Sequence, residues 1–226
     1  SNSSSSTGSD QGVSYARQVK NSENNGVLKN ISQIAVGGYH NVALTNSKQV
    51  YTWGYGKDGQ LGLNSTVSYA LPQILLDNTD GTNGVGNIAK IGTSERSTFV
   101  VTDNNEVLAT GENSNYQLAQ NNNTDLLKIT NLYNQDGENY INNIINVISS
   151  SSNTNNTAVI KADGTVWVSG LNAYGQVGNS KYETTTVYTR MGNARLETED
   201  KIITISEGNS QKLNVSIKDG FNVYED

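Results

Sequence analysis

The sequence has no cysteine, one histidine and no run of basic residues among its 226 residues. Without cysteine, a disulfide framework, a thiolate nucleophile and a zinc site with sulfur ligands are all excluded. The formal net charge is −6, and the chain lacks the cluster of basic residues with which proteins neutralise nucleic-acid phosphates. No window holds the ~18 apolar residues of a membrane-spanning helix. We therefore expect neither nucleic-acid binding nor membrane insertion.

Hydrophobic residues are also scarce. They make up 34% of the chain, against about 45–50% in ordinary globular domains, whereas glycine, asparagine, serine and threonine are abundant. No segment has a convincing helical period of 3.6 residues. This composition favours many short strands joined by polar loops, and hence an all-β fold.

One pattern occurs three times along the chain. Each copy has an apolar strand, a polar turn, a second strand that ends in glycine, and a glutamine six residues after that glycine. The strand-ending glycines Gly54, Gly111 and Gly170 lie 57 and 59 residues apart. A fixed internal offset within a slightly variable period indicates a repeat whose insertions are confined to loops.

Each repeat is predicted to contain a β-hairpin. The first strands are Val42–Leu44, Phe99–Val101 and Ala158–Ile160. In the second strands, successive residues alternate between the two faces of the sheet. One face has Val50, Val107 and Val166, and the other has Tyr51, Leu108 and Trp167. Hairpins repeated at this spacing indicate a β-propeller or a β-solenoid, and the long period favours propeller blades.

The predicted domain organisation has three parts. Residues 1–11 are a polar linker or a tag remnant, and residues 12–192 hold the propeller repeats. The full repeats occupy 32–87, 88–144 and 145–192, and residues 12–31 resemble the tail of a preceding repeat. Residues 193–226 form a β-rich extension. With about three to four blades of four-stranded antiparallel sheets, the propeller is partial.

The extension at 193–226 has a different pattern. Alternation predicts three strands, at Lys201–Ser206, Gln211–Ile217 and Phe221–Tyr224. They are typical of the opening of a bacterial immunoglobulin-like domain, although a complete sandwich needs about seven strands. The alternative is a strand pair that covers the edge of the last blade.

The first repeat resembles the regulator of chromosome condensation repeat family. The resemblance rests on Ile34–Gly37, His40, Ala43–Thr45, Val50–Gly54, Gly59–Gly62 and Pro72, and it weakens in the later copies. The repeat signature comprises Gly37, His40, Trp53, Gly54, Gln60, Gly62, Gly111, Gln117, Gly170, Gln176 and Gly178. It implies a β-propeller, usually of seven blades, that serves as a rigid platform for protein partners. Uses in the family include guanine nucleotide exchange, β-lactamase inhibition and scaffolding.

Three repeats cannot close a propeller, which generally needs about four to eight blades. An open array exposes strand edges and apolar blade faces. We therefore expect either further repeats in a longer chain or self-association that supplies the missing blades.

No catalytic, metal or cofactor constellation is visible in the sequence. His40 has no second histidine, cysteine or carboxylate pair as an evident partner, and the resemblance gives it a structural position. The glycine run at 54–59 lacks the GxxxxGK[ST] pattern of a phosphate loop. The segment Asp77–Asn83 fails the calcium-loop register because Leu76 occupies the first ligand position. The sequence predicts a protein that is not an enzyme and uses no cofactor.

The candidate partner-binding residues lie in the loops that follow the strand-ending glycines. They are Tyr55, Lys57, Asp58, Tyr116 and Tyr174. Tyrosines on rigid loops give contact area at low entropic cost and are common binding anchors. The alternative is that they pack between neighbouring blades.

The function predicted from the sequence is a non-catalytic protein–protein interaction module of a larger bacterial protein. Lack of cysteine, an acidic surface rich in serine and asparagine, and the immunoglobulin-like continuation favour an extracellular or cell-surface location, with the cytoplasm as the alternative. Two other functions stay open: a guanine nucleotide exchange factor for a small GTPase, and a glycan-binding propeller.

Overall fold

The computed structural model describes residues 15–76, 86–149 and 156–192, together with the backbone of three strands beyond residue 194. The tract 1–11 and the segment Asp77–Asn83 lie outside the described residues. Across the described ranges every regular element is a β-strand. No helix there is long and apolar enough to span a membrane.

The strands form three four-stranded antiparallel sheets, each with its strands in sequence order. Blade 1 contains β1 (Ile31–Val36), β2 (His40–Thr45), β3 (Val50–Gly54) and β4 (Tyr69–Ile74). Blade 2 contains β5 (Ile88–Thr93), β6 (Ser97–Thr102), β7 (Val107–Gly111) and β8 (Leu126–Asn131). Blade 3 contains β9 (Ile144–Ser149), β10 (Asn156–Lys161), β11 (Val166–Gly170) and β12 (Thr185–Arg190). The prediction of an all-β, partial propeller is confirmed.

The predicted hairpins are the two central strands of each blade. Leu44 pairs with Val50 in blade 1, and the same pairing recurs in blades 2 and 3. The turn between these strands places its third residue at positive φ: Lys48 at 65°, Asn105 at 61° and Gly164 at 81°. A left-handed residue gives a tight hairpin the twist that matches its strands.

The core lies between the blades because the central strands of blade 2 are apolar on both faces. Val100 and the partly buried Leu108 face blade 1 and pack with Val42 and Val50. Phe99 and Val101 face blade 3 and pack with Val159. We call the contact between blades 1 and 2 junction 1, and the contact between blades 2 and 3 junction 2. Burying both faces of a strand contributes roughly 25 cal/mol per Å² of apolar area removed from water.

Residues 15–30 have the geometry of a connection between blades. Lys20 pairs with Val27, and the Leu28 amide donates to the Val19 carbonyl at 2.9 Å. The connection between blades 2 and 3 repeats this arrangement, with Tyr133 paired to Tyr140 and the Ile141 amide donating to Leu132 at 2.8 Å.

A separate three-stranded antiparallel sheet follows the blades. It is built from β13 (Arg195–Thr198), β14 (Val215–Lys218) and β15 (Val223–Glu225). The second and third strands overlap the predicted ones. The first strand of the sheet precedes the predicted strand Lys201–Ser206, which lies outside the described part of the chain.

Candidate interaction surface

The loop after the third strand has the same construction in all three blades. Its glutamine side chain accepts a hydrogen bond from the amide two residues earlier. The Asp58 amide donates to Gln60 at 3.0 Å, the Asn115 amide donates to Gln117 at 2.8 Å, and the Tyr174 amide donates to Gln176 at 2.8 Å. The repeated glutamine therefore closes the loop, and the neighbouring side chains stand at fixed positions.

In blades 1 and 2, a backbone hydrogen bond connects this loop to the turn between the first and second strands. The Tyr55 amide donates to the Tyr39 carbonyl at 2.8 Å, and the Glu112 amide donates to the Arg96 carbonyl at 3.0 Å. Gly54 has a φ of 111°, and a Cβ there would lie 2.6 Å from the Tyr39 oxygen. Only glycine allows this approach. Tyr39 and Tyr55 of blade 1 thus occupy the positions of Arg96 and Glu112 of blade 2.

These positions bring five side chains together at one end of junction 1. We call Tyr39, Tyr55, Asp58, Glu95 and Arg96 the rim cluster. The rings of Tyr39 and Tyr55 are 6.0 Å apart at 56°, and their residues are 61% and 37% exposed. The Arg96 guanidinium lies 6.0 Å from the Tyr39 ring centre. The cluster offers exposed aromatic surface beside a cation.

Charge in the rim cluster is largely compensated. Arg96 lies 3.4 Å from an Asp58 oxygen and 3.8 Å from a Glu95 oxygen. Desolvation lowers the pKa of Arg96, but the carboxylates of Asp58, Glu112 and Glu95 more than offset it, and the pKa is raised. The guanidinium therefore stays charged and oriented. The Gly38 amide also donates to the Glu95 carbonyl at 2.9 Å, which joins the two turns across junction 1.

His40 lies in the interior of junction 1 rather than at the rim. It is 1% exposed, and its Nε2 is 2.9 Å from the Thr98 hydroxyl, which donates to the Gln60 carbonyl at 2.8 Å. Because that hydroxyl has one hydrogen, which it donates to Gln60, His40 donates to it from Nε2. Burial lowers the pKa of His40 to about 4, so the ring is neutral near pH 7.

The structure separates the predicted partner-binding residues. Tyr55 and Asp58 belong to the rim cluster, and Lys57 is exposed between them. Tyr116 is half-buried at a φ of 62°, and its carbonyl accepts a bond of 2.7 Å from the Ser169 hydroxyl. Tyr174, on blade 3, is 87% exposed. The three tyrosines, predicted as one class, occupy three different positions of the loop.

Tyr39, Glu95 and Arg96 were not predicted. They precede His40 and Ser97, the first residues of β2 and β6. Their signal in the sequence is positional: in blades 1 and 2, the residue before the second strand lies beside the residue after the strand-ending glycine. Among the residues whose placement is described, no group of three histidine or acidic side chains could hold a metal ion.

Comparison with known proteins identifies the repeats. Two models of the regulator of chromosome condensation (RCC1) repeat match residues 31–60 and 48–101. The mitochondrial RCC1 domain-containing protein RUG3 of Arabidopsis thaliana is 35% identical over 88 residues, which are 39% of this chain and 19% of that protein. The human probable E3 ubiquitin-protein ligase HERC4 is 25% identical over 179 residues, which are 76% of this chain and 15% of that protein.

Solved structures share the fold. Human WBSCR16 superposes with a TM-score of 0.57 at 23% identity, covering 71% of this chain and 37% of that one. Yeast RCC1 (Prp20), solved bound to Kap60, superposes with a TM-score of 0.60 at 19% identity, covering 75% and 39%. The chain therefore spans well under half the length of the proteins that it matches.

Proposed function

We propose that this chain, whose residues 31–101 are repeats of the regulator of chromosome condensation (RCC1) family, is a protein-interaction module that binds its partner through the rim cluster. The observation that carries the proposal is the exposed pair Tyr39 and Tyr55 beside the oriented guanidinium of Arg96. Tyr39 and Arg96 stand on two short turns that a hydrogen bond connects across junction 1, and Tyr55 stands on the loop after β3, whose amide is bonded to the Tyr39 carbonyl.

The chemistry of the cluster suits a protein partner. Tyrosine and arginine are enriched among the residues that contribute most binding energy at protein interfaces. A tyrosine has few rotatable bonds, so ordering it on binding costs little entropy. Because the loops are already fixed by Gln60 and by the Tyr55 amide, binding does not have to order the backbone as well.

The relatives support an interaction role through their names. Yeast RCC1 (Prp20) was solved bound to Kap60, and another Prp20 structure concerns its binding to Gsp1p and histones. Others carry the repeats in longer enzymes, such as mouse Nek9, a serine/threonine-protein kinase whose match covers 9% of its length. A repeat array beside other domains is consistent with partner recognition that is separate from catalysis.

A role at the cell surface, or in secretion, of a larger bacterial protein is part of the proposal. Its supports are the absence of cysteine and the acidic composition, with an isoelectric point near 4.8. An antibody against this chain should label intact source cells. Labelling only after lysis would place the protein in the cytoplasm and contradict this part.

The binding site is tested by substitution. Tyr39→Ala combined with Arg96→Ala should weaken partner binding at least tenfold, measured by surface plasmon resonance with a partner identified by affinity capture. Tyr140→Ala is the matched control, because Tyr140 is 50% exposed and lies in a connection at the opposite end of the blades. Thermal unfolding should be unchanged in all variants. An equal loss of affinity in the double variant and in the Tyr140→Ala control, or no loss in the double variant, would contradict the proposed site.

Two assays test the alternative functions. Accelerated release of labelled GDP from a small GTPase would indicate an exchange factor, and saturable binding to a glycan array without a protein partner would indicate a lectin.

A further inference from the structure

The carboxylates around Arg96 outnumber the one cation that they surround. Asp58 and Glu95 belong to the rim cluster and lie close to the guanidinium. Glu112 is a third carboxylate, because its amide donates to the Arg96 carbonyl at 3.0 Å and its side chain acts electrostatically on Arg96. These four residues together have a formal net charge of −2. The charge of Arg96 is therefore more than compensated.

The loops around the rim cluster have the same sign of charge. At this end of blades 1 and 2 the chain passes through the turns 37–39 and 94–96 and the loops 55–68 and 112–125. Their charged residues are four acids and two bases: Asp58, Glu95, Glu112, Asp125, Lys57 and Arg96. The negative excess thus extends over the whole rim of junction 1, and Lys57 does not cancel it.

An acidic partner would meet Arg96 in an unfavourable setting. The guanidinium already lies 3.4 Å from an Asp58 oxygen and 3.8 Å from a Glu95 oxygen. A carboxylate from a partner would have to displace one of them, or become a fourth negative charge around a single cation. Like charges brought together at an interface weaken binding. The rim cluster therefore disfavours an acidic segment.

The tyrosine pair adds a surface that attracts cations. The face of an aromatic ring carries partial negative charge, and a lysine or arginine head group placed over it is stabilised. Tyr39 and Tyr55 are inclined to each other at 56° with ring centres 6.0 Å apart, so their faces are not stacked together. Arg96, 6.0 Å from the centre of the Tyr39 ring, already makes one contact of this kind. A second cation against the pair would lie near the same carboxylates.

The rim is open at its end and its backbone is fixed. Blades of a propeller pack side by side around an axis, so further blades would extend the rim sideways and leave its end uncovered. The Gly38 amide donates to the Glu95 carbonyl at 2.9 Å, and the Asp58 amide donates to the Gln60 side chain at 3.0 Å. The residues that carry the carboxylates are thus positioned before a partner binds, which lowers the entropic cost of binding.

We propose that the partner of the rim cluster presents a basic segment, with an arginine or lysine side chain packed on Tyr39 and Tyr55 and paired with the carboxylates around Arg96. The inference rests on the proposed function, because it names the chemistry of the partner at that same site. Arg96 also contributes to binding. A guanidinium has five N–H groups, so it can donate to backbone carbonyls of the segment while it pairs with Asp58 and Glu95.

Fluorescence anisotropy tests the sign of the charge that the site prefers. The probes are fluorescein-labelled hexa-arginine and hexaglutamate at about 50 mM salt, where screening is weak. Hexa-arginine should bind saturably and hexaglutamate should not. Glu112→Gln keeps the shape of the side chain and should weaken hexa-arginine binding about two- to fivefold, as expected for the loss of one partly exposed ion pair.

Glu138→Gln is the matched control for the charge. It removes the same charge from an exposed residue in the connection between blades 2 and 3, and it should leave hexa-arginine binding unchanged. Equal weakening by Glu112→Gln and Glu138→Gln would show that the probe responds only to the net charge of the chain, and would overturn the proposal. Absence of saturable hexa-arginine binding would overturn it as well.

The same assay tests the tyrosine pair. Tyr39→Ala combined with Tyr55→Ala should weaken hexa-arginine binding about tenfold, because tyrosines at the centre of a site contribute much of its binding energy. Tyr140→Ala should have no effect. Thermal unfolding checks that the variants are folded, and Tyr39→Leu, which keeps an apolar side chain but removes the ring, replaces the double variant if that variant is unfolded.

The outcomes separate this inference from the proposed function. Hexaglutamate binding that the tyrosine substitutions weaken would overturn the basic partner, yet it would leave the rim cluster as a binding site for an acidic one. Hexa-arginine binding that the tyrosine substitutions leave unchanged would also overturn the basic partner at this site. The proposed function fails on a different result, namely a captured protein partner that binds the Tyr39→Ala, Arg96→Ala variant as tightly as the unsubstituted chain.

Discussion

Junction 1 and junction 2 join equivalent faces of neighbouring blades, yet their interiors differ. Junction 1 contains a buried polar chain in which His40 donates to Thr98 and Thr98 donates to the Gln60 carbonyl. At junction 2, Ser97 replaces His40 and donates instead to the Glu112 carbonyl within its own blade. Among the described residues, the Thr157 hydroxyl, equivalent to that of Thr98, has no hydrogen-bond partner.

Junction 2 compensates with larger apolar side chains. Phe99 stands where junction 1 has Val42, and the fully buried Tyr188 stands where junction 1 has Ile129. Burial raises the pKa of Tyr188, so its hydroxyl stays protonated. Both junctions keep a further contact, from Thr110 to the Gly59 carbonyl and from Ser169 to the Tyr116 carbonyl. A repeat can therefore lose its polar signature and remain closely packed.

The largest expected effect is at junction 2. Phe99→Ala removes a ring that is 0% exposed and leaves a cavity between blades 2 and 3. Such truncations cost about 3–5 kcal/mol of unfolding free energy, measured by urea denaturation. Val42→Ala at the equivalent position of junction 1 should cost less, because less side chain is removed. Equal costs would contradict the assignment of junction 2 as the more apolar interface.

The next effect is a dependence of stability on pH that arises at junction 1. His40 has a pKa of about 4 in the folded chain, below its unfolded value of 6.5. Below pH 6.5 the unfolded state therefore binds more protons, and stability falls as the pH falls towards 4. A shift of this size corresponds to about 3 kcal/mol.

His40→Gln is the control for the pH effect, because the chain has no other histidine. Carboxylates also titrate near pH 4, so the quantity to measure is the difference in unfolding free energy between the two proteins at each pH. That difference should narrow from pH 7 to pH 4. A constant difference would show that His40 does not titrate between these values.

The smallest effect concerns the surface of junction 1. Lys48 and Asp103 form an ion pair across the blades at 2.5 Å, with side chains that are 47% and 40% exposed. Exposed pairs contribute roughly 0.2–1 kcal/mol. Lys48→Ala should therefore reduce the unfolding free energy only slightly, and the reduction should shrink at 1 M salt. A loss that salt leaves unchanged would mean that Lys48 stabilises the junction through packing.

Much of the fold was predictable because each blade is encoded locally. A close backbone approach requires glycine at 54, 111 and 170, and closure of the loop requires glutamine at 60, 117 and 176. Both residues recur with the repeat, so the sequence alone predicts them. Asn30, Asn87 and Asn143 are an additional signal in the sequence: they lie at φ values of 57–59° just before the innermost strands and are 57 and 56 residues apart, close to the repeat period.

The rim cluster was only partly predictable. Tyr55 and Asp58 were identified from the glycine loop, but their neighbours Tyr39 and Arg96 come from other turns, and Arg96 comes from the next blade. A repeat period predicts which residues are equivalent. It does not predict which side chains meet across a junction, because that depends on how neighbouring blades are packed.

Equivalent positions of the two junctions differ in chemistry, and a matched pair of substitutions at Thr98 and Thr157 tests this difference. Thr98→Val leaves the His40 donor and the Gln60 carbonyl without their buried partner, which should cost about 1–3 kcal/mol. Thr157→Val removes a buried hydroxyl that has no partner among the described residues, so the unfolding free energy should stay the same or rise. Both values come from urea denaturation of the two variants and the unsubstituted chain at pH 7. A loss in Thr98→Val with no loss in Thr157→Val would confirm that the two junctions differ, and equal losses at both positions would contradict it.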